Sequence, residues 1–120
     1  MPMQIVNKDN FDQVIANNDL VVIDFWAEWC EPCKSFNKAC DEVAKNHPDV
    51  VFAKVDIDKE SQLAADFQVR SVPFVILLRQ RVAVYAESGA LTASALSELI
   101  TKAQALDMQK VKGNLGTEQE

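Results

Sequence analysis

One histidine and three glycines occur in the 120 residues, and no apolar run approaches the ~20 residues that a membrane-crossing helix requires. Basic residues are outnumbered, 12 Lys and Arg against 18 Asp and Glu, for a net charge of −6. A nucleic-acid surface needs a basic patch, and none is visible. The acidity reads as solubility, so neither nucleic acid nor membrane is expected as a partner. The three cysteines form an odd count. That argues against a structural disulfide framework and for reactive or buried free thiols in a reducing compartment. The first residues, Met-Pro-Met-Gln-Ile-Val-Asn-Lys, have no charged stretch leading into an apolar core, so export is not expected and a cytoplasmic location is. With 48% hydrophobic and 25% charged residues, the composition is that of a soluble domain able to bury a core without stapling.

Strand and helix signals alternate along the chain. Met3–Val6 is a short strand candidate, and Asn7 a candidate cap for a helix carrying Phe11, Val14 and Ile15 on one face. Leu20–Trp26 is apolar with little alternation, as in a strand buried on both faces. A helix is predicted from about Cys33 to Asn46, with Phe36, Cys40, Val43 and Ala44 on its apolar stripe. Lys34, Asn37, Lys38, Asp41 and Lys45 then face outward, and His47-Pro48-Asp49 ends the helix. Val50–Asp56 reads as a second buried strand, and Asp58 as the cap of a short helix with Leu63, Ala64 and Phe67. Phe74–Leu78 and Val82–Ala86 form a hairpin whose turn lacks the Gly or Asn such turns prefer. Thr92 caps a last helix that buries Leu96, Leu99, Ile100 and Ala103. The order predicts a single α/β domain over residues 1–108, a central mixed sheet with helices on both faces. Residues 109–120 are polar, hold the two glycines other than Gly89, and read as a disordered tail.

The strongest chemical signal is Trp29-Cys30-Glu31-Pro32-Cys33-Lys34, which follows the apolar strand. Cys30 precedes the predicted helix and Cys33 lies in its first turn, where unpaired backbone N–H groups favour a negative sulfur. Pro32 suits that position because it lacks the amide hydrogen that would go unpaired. Cys30 is therefore the expected attacking thiolate and Cys33 the thiol that resolves a mixed disulfide. Two cysteines at this spacing also occur in zinc sites. The remaining candidate ligands, Cys40 and His47, would lie ~10 Å and ~20 Å further along a continuous helix. Ligands of one zinc crowd within about 4 Å of each other, so no metal is expected.

Asp24 interrupts the apolar strand. Either it is buried with a raised pKa and exchanges protons with Cys33, or it faces solvent or pairs with Lys54. Ser71-Val72-Pro73-Phe74 is either an ordinary turn or a cis X-Pro bond that frees the preceding residue's backbone for an extended substrate. Trp29 offers an apolar docking surface, whereas Trp26 belongs to the core. Lys34 favours a neighbouring thiolate and Glu31 opposes it, so Glu31 is expected to make Cys30 less acidic than Gly would. Cys40 reads as a small core residue.

Together these segments resemble the thioredoxin family, from about residue 3 to about residue 106. The match runs through Asp24-Phe25-Trp26-Ala27, the cysteine motif, Ala53-Lys54-Val55-Asp56-Ile57-Asp58, Val69 to Phe74, and Gly89-Ala90-Leu91. The resemblance implies a protein-disulfide reductase with no bound cofactor, a reversible Cys30–Cys33 disulfide, and reducing equivalents from NADPH through a thioredoxin reductase. It implies that Cys30 is the nucleophile, Cys33 the resolving thiol and Asp24 the buried proton carrier, with Lys54 near that carboxylate. Pro73 matches the family's cis-proline, and Trp29, Val72, Gly89 and Ala90 match its substrate groove. The implied partners are disulfide-containing proteins and the reductase, and the expected state is a monomer. Glu31 replaces the usual Gly, Lys38 a helix-kinking Pro, Ser71 a Gly and Phe74 a Thr. These departures leave room for a thioredoxin-fold binding module or co-chaperone in which the dithiol is secondary.

Overall fold

The computed structural model describes residues 3–119, with the side chains of residues 3–113. Its elements are β1 (Gln4–Ile5), α1 (Phe11–Ala16), β2 (Leu20–Trp26), α2 (Glu31–Asn46), β3 (Val51–Asp56), α3 (Ser61–Asp66), β4 (Phe74–Arg79), β5 (Val82–Ser88), α4 (Ala93–Gln104) and α5 (Met108–Gln119). The strands form one five-stranded sheet in the order β1-β3-β2-β4-β5. β1 and β2 run parallel to β3, and β4 runs antiparallel to both β2 and β5. This is the mixed sheet expected.

The alternation of side chains along β2 sorts the core into two layers. Leu20 and Val22 join Phe36, Cys40, Val43, Leu96, Ile100 and Ala103 in the layer that holds α2 and α4. Val21, Ile23 and Phe25 join Val14 and Leu63 in the layer that holds α1 and α3. With a period of two, Asp24 falls on the α2 side, beneath that helix. Packed between the two layers, β2 is covered on both faces, which explains why it shows no polar face.

Local details differ from the sequence reading. Asn10, not Asn7, stands at the N-cap of α1, while the Asn7 side chain closes the preceding turn by accepting from the N–H of Asp9 and Asn10. Glu60, not Asp58, stands at the N-cap of α3, and Asp56 accepts the Asp58 N–H at 2.9 Å. α2 begins at Glu31 because Cys30 caps it. Thr92 caps α4 as expected, accepting from the Ala95 N–H at 3.1 Å.

The tail read as disordered is helical through Gln119, and Glu120 lies outside the described residues. Asp107 starts this helix by accepting the Gln109 and Lys110 N–H groups, and Met108 is buried. Arg79 braces the chain just before it. Its guanidinium donates to the carbonyls of Ala103, Gln104 and Leu106 and pairs with Asp19 at 2.9 Å. A cation on the last carbonyls of a helix satisfies orphaned acceptors and complements the helix dipole.

Candidate active site

The carboxyl end of β2 delivers Trp26 and Ala27 into a short loop that ends on the N-terminus of α2. Cys30 is the N-cap residue, with extended backbone, and its sulfur accepts the Cys33 N–H at 3.2 Å. A cysteine at this position meets unpaired amide hydrogens and the positive end of the helix dipole. Cys30 and Cys33 are joined in a disulfide, with Cα atoms 5.3 Å apart. Pro32 falls in the first turn, where a missing N–H is harmless. Ala27, Cys30 and Cys33 form a small buried cluster against Trp26, Ile57 and Val72.

The Val72–Pro73 bond is cis, one of the two isomers that the sequence left open. The Val72 carbonyl lies 3.7 Å from the Cys30 sulfur, and the Pro73 carbonyl accepts the Gly89 N–H at 2.9 Å. Gly89 has φ +114°, a conformation that side chains with a Cβ rarely adopt. Gly89 and Ala90 are both exposed. Trp29 is 67% exposed, and its indole N–H donates to Asp58 at 2.9 Å. Glu31 and Lys34 pair at 3.1 Å on the solvent side of the motif.

Asp24 is fully buried, which excludes a solvent-facing carboxylate. It lies opposite Lys54 on β3 and Val75 on β4. The Lys54 ammonium sits 5.1 Å over the Trp26 ring, and among the described residues the ion pairs do not include one to Asp24. Burial pushes the Asp24 carboxyl from 3.8 up to about 7; the Lys54 charge lowers it and the Asp41 charge raises it. Its Oδ1 has no hydrogen-bond partner among the described residues. Burial also pushes up the thiol of Cys40, helped by the Asp24 and Asp41 charges. Cys40 is a free, buried thiol in the α2–α4 core.

The sequence reading missed Asn37, which it assigned to the outer face of α2. The residue is half-buried, and its side-chain amide nitrogen, turned to face two oxygens, donates to the Cys33 carbonyl at 3.1 Å and to Asp24 Oδ2. The signal was its spacing: one turn beyond Cys33, it stands over the strand position that Asp24 occupies.

Among the described residues, no helix is long and apolar enough to cross a membrane, and no group of three His, Cys, Asp or Glu could hold a metal ion. The family model for thioredoxin matches residues 2–102. The chain is 43% identical over 114 residues to a protein named putative thioredoxin 2 of Streptomyces coelicolor, covering 95% of this chain and 85% of that one. It is 36% identical over 98 residues to thioredoxin 1 of Plasmodium falciparum, covering 82% and 93%. Among solved structures, a point-mutant thioredoxin from Halobacterium salinarum superposes with a TM-score of 0.82 at 31% identity, over 88% of this chain and 94% of that one. With a disulfide-forming pair at the head of α2 on this fold, the chain belongs to the thioredoxin family of thiol-disulfide oxidoreductases and is a protein-disulfide reductase.

Proposed function

We propose that Cys30 attacks a disulfide in a partner protein and that Asp24 readies Cys33 to complete the exchange. The Cys30 thiolate bonds to one substrate sulfur, and the other leaves as a thiolate. Cys33, having passed its proton to the Asp24 carboxylate directly or through one water, attacks the Cys30 sulfur. The substrate sulfur held on Cys30 departs as a thiolate, the substrate is reduced, and the Cys30–Cys33 pair is left oxidised by two electrons. NADPH restores the dithiol through a thioredoxin reductase. The substrate lies extended between Val72, Gly89, Ala90 and Trp29, with Pro73 shaping the floor and Pro32 and Glu31 on the rim. Lys54 and Trp26 support Asp24, and Lys34 offsets Glu31. The protein acts as a monomer in the cytoplasm, where a free Cys40 persists unpaired.

The observation that carries this reading is Asp24: fully buried, with an unpartnered oxygen, and one amide away from the Cys33 carbonyl. A buried unpaired acceptor costs stability, about 1–3 kcal/mol, and a proton-transfer role explains its retention. The test is insulin reduction with dithiothreitol, repeated with NADPH and a thioredoxin reductase. Loss of turnover in Cys30→Ser supports the reductase. Equal turnover in wild type and Cys30→Ser would make the groove a binding module instead.

A further inference from the structure

We infer that Asn37 is a positioning residue for the Asp24 carboxyl: its amide holds Oδ2 against the Cys33 carbonyl and leaves Oδ1 as the oxygen that takes up the Cys33 proton. This rests on the proton-carrier reading of Asp24 and adds to it a division of labour between the two oxygens.

A side-chain amide has two N–H donors, and Asn37 has two acceptors before it, Cys33 O and Asp24 Oδ2. Occupied in this way, the amide ties the carboxyl to the backbone of the residue it serves. Oδ1 is left without a partner among the described residues, and it is the oxygen with capacity to receive a proton. A donor on a carboxylate favours the charged form, so Asn37 works with Lys54 and against burial. The other groups facing Asp24 are Asp41 and Cys40 on α2 and Lys54 on β3, while β4 presents the uncharged Val75. Cys40 stays neutral as Asp24 titrates, because its own thiol is pushed up.

The test follows the Asp24 side-chain carbon by NMR in the oxidised protein as pH is raised from acid to alkaline. Asn37→Leu keeps the bulk and removes the donor. The Asp24 midpoint is expected to rise by about one pH unit in that variant. In the wild type, the Asn37 side-chain amide signals are expected to move with the same midpoint as Asp24, a measurement that requires no substitution. An unchanged midpoint in folded Asn37→Leu, or wild-type amide signals that stay flat through the Asp24 transition, overturns the assignment. Because the resting oxidised protein is observed, failure here is distinct from failure of the proton-carrier reading. That reading falls instead if Asp24→Asn releases a trapped partner as fast as wild type.

Discussion

Asp24 and Lys54 are directly paired in the parallel β2–β3 ladder, yet the Lys54 ammonium rests over Trp26 rather than on the carboxylate. The positive charge is near enough to favour ionisation of Asp24 but leaves burial dominant, so the carboxyl titrates at about 7. A direct ion pair would hold it ionised throughout and remove its use as a proton acceptor near neutral pH.

Lys54→Met removes that opposing charge, and the Asp24 midpoint should rise above about 7. Carboxyl-carbon NMR titration of the oxidised variant measures it. A midpoint that stays or falls contradicts the electrostatic assignment.

Asp24→Asn should stabilise the fold above neutral pH and not in acid. The folded carboxyl keeps its proton up to about 7, whereas the unfolded chain releases it near 3.8. Between those values the native state binds more protons, so wild-type stability falls as pH rises and levels off above about 7. At ~1.4 kcal/mol per pH unit, the gain in Asp24→Asn is at most about 4 kcal/mol. Denaturant unfolding of both oxidised proteins on either side of this window checks the sign. A gain in acid that vanishes above neutral would contradict it.

Glu31→Gly should change the Cys30 thiolate little. Glu31 is 82% exposed and already paired with Lys34, so water and the ammonium screen its charge. Thiolate absorbance of the reduced protein should shift only slightly, to lower pH, at low salt, and less at high salt. A shift to higher pH would contradict the sign expected of an acidic neighbour.

Arg81→Gly should stabilise the hairpin. Gln80 and Arg81 join β4 and β5 with φ of 50° and 69°, conformations costly for residues with a Cβ. Gly relieves that cost but adds freedom to the unfolded chain, leaving a gain of about 0.5–1 kcal/mol in thermal or denaturant unfolding. A loss would show that the Arg81 side chain matters more than its backbone.

The fold was legible where periodicity and burial agree. The unbroken apolar β2 announced a strand covered on both faces, and the lone Asp24 within it announced a group out of place. The hairpin was legible from its two apolar runs, although Gln80 and Arg81 have the wrong chemistry for its turn, because the β4–β5 ladder imposes the bend. Asn37 was hidden because a polar residue on a helix reads as solvated unless its partner on the strand beneath is known. The caps at Asn10 and Glu60 were missed because their side chains make no capping bond. In the tail, glycines and charges obscured the helical spacing of Met108, Val111 and Leu115. The cysteine motif, by contrast, states its own geometry: two residues, Glu31 and Pro32, separate two sulfurs that must meet at a helix start.

The most direct test of the account is the rate at which a trapped mixed disulfide on Cys30 is released at pH near 7, comparing wild type with Asp24→Asn. Formation of the mixed disulfide should be nearly unchanged, while release should slow on the order of 100-fold, the usual worth of a positioned proton acceptor. Release at the wild-type rate would show that Cys33 gives up its proton without Asp24 and would contradict the account.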